Sequence, residues 1–255
     1  MGDLHRLCAG VLEATDVVYM ILYSNRTGSS LLTEDLDATG LGHPAEFFAD
    51  FTSSPLPETG YSGIPIEPID NYLTQIVTRY TAGRVFGFRT SLTQLNAFSS
   101  ACSAAFQVKM DRELRLVFPN LRIILLSRQD KFAQAASYWE ALQTRVWSLP
   151  HTHHASFARP PYNYPELRDA LKNVVLQDWL NRQYLTALGC QYLEITYEQF
   201  VADRTATLNS ILRFLRLSPR QVRLSSRSRS TEDDLTFQHA RQLREDLKLD
   251  GLVSQ

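Results

Sequence analysis

The sequence predicts an α/β fold: a single domain with a central parallel sheet of about four to five strands flanked by helices. Three observations predict it. Four short runs are apolar without polar alternation, as strands buried on both faces of a parallel sheet are. Stretches with apolar residues three and four apart lie between those runs, as crossover helices require. At 255 residues, 44% of them apolar, the chain is long enough for one large core, and no shift in composition divides it.

The first strand is Val17-Val18-Tyr19-Met20-Ile21-Leu22-Tyr23. It runs into the polar loop Ser24-Asn25-Arg26-Thr27-Gly28-Ser29-Ser30, then into helical spacing through Ala38. Residues 40–68 hold five prolines (Pro44, Pro55, Pro57, Pro65, Pro68). A loop that long inside a compact domain is usually functional or mobile. Residues 69–81 return to helical spacing. Val85-Phe86-Gly87-Phe88-Arg89 is the second strand, and 91–117 is mostly helix. Leu121 to Ser127 is the third strand.

Asp130 is an N-cap residue for the next helix. There Phe132, Ala135, Ala136, Trp139, Leu142 and Val146 trace one apolar face. Ser137 falls on the polar side with Asp130, Gln134 and Thr144. Residues 150–165 form a His- and Pro-rich loop. Leu167, Leu171, Val174, Val175, Trp179 and Leu185 mark a long amphipathic helix ending near Gly189. Trp139 and Trp179 are assigned to the core. Tyr192 to Thr196 is the fourth strand, followed by helix to about Leu215. An Arg/Ser stretch leads to a charged helix from about Thr231 to Leu247.

A net charge of −1 excludes a dedicated nucleic-acid binder, which carries a strong basic excess. The basic residues are nevertheless 22 Arg and only 4 Lys. Arg binds phosphate and carboxylate in bidentate fashion, although a GC-rich genome produces the same skew. Cys8, Cys102 and Cys190 are odd in number and far apart, so they imply neither a disulfide framework nor a metal site. Val17 to Tyr23 is far short of the roughly 18 residues of a membrane span. Asp3, Glu13 and Asp16 interrupt any signal-peptide core. The expectation is a soluble cytoplasmic protein with no integral membrane contact.

Three places carry chemistry. The first is the strand–loop–helix at 17–38. Amide groups at a helix N-terminus and the helix dipole favour an anion there. Gly28 permits close approach, Arg26 adds charge, and Thr27, Ser29 and Ser30 add hydroxyls. The loop lacks the first Gly and the Lys of a Walker A sequence. Strand three ends in Ser127-Arg128, without the carboxylate that would help to hold Mg²⁺. A P-loop-type kinase therefore stays only as an alternative. The second place is Arg128 with Ser137, at the sheet edge where α/β ligands bind, suited to a second phosphate. The third is Glu46, where Phe47 and Phe48 would exclude water from a carboxylate able to act as a general base. Each also fits an ordinary capped helix, a surface Arg or a loop Glu.

Together these segments resemble the trehalose 2-sulfotransferase family, with its related rhizobial and lipopolysaccharide sulfotransferases. The resemblance lies in S-N-R-T-G-S-S-L-L (24–32), A-T-G (38–40), H-P-A-E-F-F (43–48), V-F-G-F-R (85–89) and the 127–147 segment beginning S-R-Q-D-K-F. T-Y-E-Q-F (196–200) is similar to a late sulfotransferase segment. The match runs in order over about 17–217. It implies a P-loop-like fold and sulfuryl transfer from 3′-phosphoadenosine 5′-phosphosulfate (PAPS) to a carbohydrate or glycolipid hydroxyl, releasing 3′-phosphoadenosine 5′-phosphate (PAP), with no metal.

By that resemblance, Arg26, Thr27, Gly28, Ser29 and Ser30 cradle the 5′-phosphosulfate, and Arg128 and Ser137 bind the 3′-phosphate. Glu46 is the general base, with His43 in reserve. Arg89 takes the place of a Lys beside the transferring group. Ser91 stands where cytosolic sulfotransferases place a His base. After Arg89 the chain reads T-S-L-T-Q. The family's Trp there, near the acceptor pocket, is absent, while Gln94 remains. His43, Glu46 and Gln94 are the candidate acceptor contacts, and the relatives imply a possible homodimer.

The region 218–255 diverges most from the family. Within its basic run, Arg227 and Arg229 are either solvated or folded over the 3′-phosphate. His151, His153 and His154 lack nearby Cys or acidic partners and border the acceptor pocket or are simply exposed. A non-catalytic nucleotide-binding homologue is the remaining alternative.

Overall fold

The computed structural model describes residues 2–49, 68–106, 114–147, 160–218, 220–225 and 234–250. Its core is a four-stranded sheet of β1 (Val17–Tyr23), β2 (Val85–Thr90), β3 (Leu121–Ser127) and β4 (Tyr192–Thr196). The spatial order is β2-β1-β3-β4 and every neighbouring pair is parallel. Parallel pairing follows from the helices in each crossover. These are α2 (Ser29–Ala38) and α3 (Ile69–Tyr80), then α4 (Leu92–Phe106) and α5 (Leu114–Val117), then α6 (Lys131–Thr144) and α7 (Tyr164–Leu188). Helix α1 (Gly2–Ala14) precedes the sheet; α8 (Tyr197–Ala202), α9 (Arg204–Phe214) and α10 (Asp234–Leu249) follow it.

All seven residues of β1 are buried, because a central strand meets helices on both sides. Val18, Met20 and Leu22 join Phe86, Phe88, Phe98 and Phe118 in one layer. Val17, Tyr19, Ile21 and Tyr23 join Leu31, Leu32 and Leu36 of α2 and Leu208, Ile211 and Leu212 of α9 in the other. Each buried large apolar side chain contributes about 1.5–3 kcal/mol. Gly87 is required by this packing. A Cβ there would lie 2.1 Å from Cζ of Tyr19, whose hydroxyl crosses β2 to donate to the Leu41 carbonyl at 2.7 Å. A third cluster, built on Trp139, Leu167 and Leu243, joins α6, α7 and α10.

The chain leaves β1 towards β2 but leaves β3 towards β4. The sheet therefore opens a crevice between the carboxyl ends of β1 and β3, the place where ligands bind in such folds.

Several expectations are corrected. Trp179 is not core but 55% exposed. Apolar spacing defines a helix stripe without saying what covers it. The polar side of α6 that carries Ser137 and Gln134 is buried, because it faces the loop after β1. The helix after β4 is two helices, broken at Asp203, whose carboxylate accepts from the Ala206 amide to cap α9. Helix α1 had no counterpart in the sequence reading. The cysteines are free, as expected. The segments 50–67 and 148–159, and with them His151, His153 and His154, lie outside the described residues.

Candidate active site

The loop after β1 is shaped by two left-handed residues, Arg26 at φ 64° and Gly28 at φ 81°. The Thr27 hydroxyl closes it by donating to the Ser24 carbonyl at 2.9 Å. Gly28 is the N-cap of α2 and supplies no side-chain cap. The first-turn amides of α2 thus remain available as donors to an anion. Gly28 is also fixed by space, since a Cβ there would lie 2.6 Å from Cδ2 of Tyr197.

Across the crevice, Arg26 Nε donates to Ser137 Oγ at 2.9 Å, and its Nη1 donates to the Trp147 carbonyl. Arg128 is 5% exposed. Its Nη1 donates to the Arg26 carbonyl at 3.3 Å, and its guanidinium lies 4.8 Å from the Tyr197 ring centre. Gln134 Nε2 braces the same loop by donating to Ser24 Oγ at 3.1 Å and to the Asn25 carbonyl at 2.7 Å. The Glu198 carboxylate accepts from the amides of Gln129 and Asp130 at 3.0 Å, which holds the turn after β3. Arg26, Arg128 and Ser137 therefore form one cluster.

Glu46 reaches the site from a different direction. Its segment lies beside β2, where the Arg89 amide donates to the Ala45 carbonyl at 3.0 Å. Phe48 anchors it by stacking on Phe98 with ring centres 3.9 Å apart, and Phe47 packs on Tyr80 and Phe86. Arg89 Nε stands 3.4 Å from Glu46 Oε1, both side chains being about four-fifths buried. Arg89 Nη1 donates to Ser30 Oγ at 2.6 Å and to Ser29 Oγ at 3.2 Å. One guanidinium thus ties the start of α2 to the carboxylate. The Tyr23 hydroxyl donates to the same Glu46 oxygen. Burial, and then the Glu46 charge, push the Tyr23 phenol well above its ordinary range, so Tyr23 stays protonated.

Gln94 caps the turn after β2 by accepting from the Ser91 amide at 2.9 Å, and it lies beside the Tyr23 hydroxyl. His43 is not brought to Glu46; its ring pairs with Asp37 at 2.7 Å on the exposed rim. Arg227 and Arg229 lie outside the described residues. The structure adds Tyr23, Tyr197, Gln134 and Glu198, none of which the sequence reading assigned to the site. Tyr23 ends β1, Tyr197 and Glu198 follow β4 within the T-Y-E-Q-F segment, and Gln134 shares the polar side of α6 with Ser137. Among the described residues no three His, Cys, Asp or Glu side chains gather as a metal set. No helix among them is long and apolar enough to cross a membrane.

A parallel α/β sheet thus brings an uncapped helix N-terminus, an Arg cluster and an Arg-paired carboxylate to one edge, at the switch point. The chain belongs to the Stf0 sulphotransferase family, whose pattern matches residues 18–246. Two similar proteins are trehalose 2-sulfotransferases. The one from Mycobacterium tuberculosis is 27% identical over 222 residues, covering 76% of this chain and 82% of that protein. The one from Mycolicibacterium smegmatis is 25% identical over 263 residues, covering 92% and 97%. Among solved structures, a sulfotransferase from Alicyclobacillus acidocaldarius is 16% identical, with TM-score 0.49 over 90% of this chain and 92% of that one.

Proposed function

We propose that this chain moves a sulfuryl group from PAPS to a hydroxyl of a carbohydrate or glycolipid acceptor, with Glu46 as general base. The observation that carries the reading is Arg89, which joins Ser29 and Ser30 of the anion loop to the Glu46 carboxylate. Transfer needs a base and an anion cradle within one acceptor's reach, and that guanidinium holds both. The uncapped start of α2 fits a phosphosulfate.

In this reading the α2 amides, Ser29 and Ser30 hold the 5′-phosphosulfate. Arg26, Arg128 and Ser137 hold the 3′-phosphate, which requires Arg26 to yield its contact with Ser137. PAPS supplies the sulfuryl group and carries away the bridging oxygen as PAP. Glu46 removes the proton of the acceptor hydroxyl as its oxygen bonds to sulfur and the sulfur–phosphate oxygen bond breaks. Arg89 and the amides are placed in advance where negative charge moves towards the leaving phosphate, and such preorganised donors stabilise that shift. The mycobacterial relatives support a sugar acceptor. The absence of the Trp that the family often carries after Arg89 argues for an acceptor other than trehalose. The test is transfer of radiolabelled sulfate from PAPS to a panel containing trehalose, other sugars and glycolipids. Labelled product is expected with at least one member; none with any of them, in protein that binds PAP, overturns the enzymatic reading.

A further inference from the structure

We infer that Tyr23 is a positioning residue for this transfer: by donating to Oε1 of Glu46 it turns Oε2 towards the acceptor hydroxyl. The inference rests on the sulfuryl-transfer reading above and adds a residue to it. Tyr23 is the last residue of β1, with its ring in the layer between the sheet and α2. It is 6% exposed, so it acts only through what it touches.

Both donors that reach Glu46 converge on one oxygen. The Tyr23 hydroxyl bonds to Oε1, and Arg89 Nε lies 3.4 Å from the same atom. Among the described residues neither donor engages Oε2, which is left to receive a proton. The chain on either side of Glu46 is already held, the Ala45 carbonyl by the Arg89 amide and the Phe47 carbonyl by the Tyr72 hydroxyl. Its side chain still has three rotatable bonds, and freezing such a side chain costs up to about 2 kcal/mol. A tyrosine hydroxyl on a rigid central strand fixes it before the acceptor arrives. The phenol is a donor throughout, because burial and the neighbouring carboxylate keep its proton on, so Tyr23 does not compete with Glu46 as base.

The groups facing this carboxylate are Tyr23 from β1 and Arg89 from β2. Ser29 and Ser30 of α2 act on it through Arg89, and Gln94 of α4 acts through Tyr23.

The experiment is steady-state transfer with the full chain, for wild type and Tyr23→Phe. A hydrogen bond to a charged group corresponds to roughly a ten- to hundredfold change. Tyr23→Phe should lower kcat by about that factor and leave KM for PAPS unchanged. In a Glu46→Gln background the same substitution should have no further effect. Site-specific 4-fluorophenylalanine at position 23 keeps the ring and most of the volume but removes the donor, so it should lower kcat by the same factor; it serves if Tyr23→Phe does not fold. A transferring wild type whose kcat changes with neither replacement, or whose loss is the same in the Glu46→Gln background, overturns the role of Tyr23 alone. A wild type that binds PAP but transfers nothing overturns the transfer reading and this inference together.

Discussion

Gly28→Ala perturbs the anion loop at its tightest point. The new Cβ would lie 2.6 Å from Cδ2 and 2.9 Å from Cε2 of Tyr197, so the ring must shift. It would also hold an L side chain at φ 81°, which costs about 1–2 kcal/mol. A shifted Tyr197 leaves the Arg128 guanidinium that now lies over it at 4.8 Å, a contact between a cation and a ring worth about 0.5–2 kcal/mol. The sum is about 1.5–4 kcal/mol, or roughly a 10- to 1,000-fold weaker dissociation constant if all of it falls on donor binding. Any share already present in the free protein appears instead as a lower Tm. Calorimetric titration with PAP and a melting curve, for wild type and variant, measure both shares. An affinity within about twofold of wild type with an unchanged Tm would refute the reasoning.

Arg128→Ala should weaken PAP binding by about 10- to 150-fold, as loss of a charge-assisted hydrogen bond does, while Arg213→Ala on exposed α9 should change it little; equal effects would count against the cluster at the switch point. Asp35→Ala should destabilise the fold by about 3 kcal/mol or more in urea unfolding, because breaking a buried pair leaves a charge uncompensated. Asp35 is fully buried, pairs with Arg204 through two nitrogens and accepts from the Ser225 amide at 2.8 Å. For Glu194, hydrogen bonding to Arg182 holds the carboxyl below its usual range. A depressed folded-state value adds stability above the unfolded pKa and loses it as pH falls. Glu194→Gln should therefore be less stable than wild type near neutrality, by at most about 1 kcal/mol for so exposed a pair, and the gap should close on acidification below the ordinary carboxylate range.

The strands were legible because burial on both faces leaves a run such as Val17 to Tyr23 with almost no polar residue. The loop at 24–30 was legible as a loop for a related reason, since small polar residues around a glycine interrupt the buried strand before the helix starts at Ser29. Tertiary juxtaposition was not legible. Nothing in H-P-A-E-F-F names Arg89 or Tyr23 as partners of Glu46, because the segment's alignment along β2 rests on Phe47 and Phe48 finding ring partners distant in sequence. Tyr23 read as strand core because its ring is core and only its hydroxyl is functional. Trp179 was placed in the core because a periodic stripe gives a direction but not the neighbour that covers it. The C-terminal basic run is partly structural. Arg220 donates to the Gly40 carbonyl at 3.1 Å, and the backbone at Arg223 pairs with the Thr39 hydroxyl. Those contacts pin the chain beside α2, a role that Arg spacing does not announce.

The central claim is that Glu46 acts on the acceptor in a site where the donor is held by other residues. The most direct measurement is Glu46→Gln, with PAP affinity and sulfate transfer determined on the same preparation. The account predicts PAP affinity within about twofold of wild type and transfer slower by about 10²–10⁴, the contribution of a positioned base. Transfer within about threefold of wild type, or loss of PAP binding together with transfer, would contradict it.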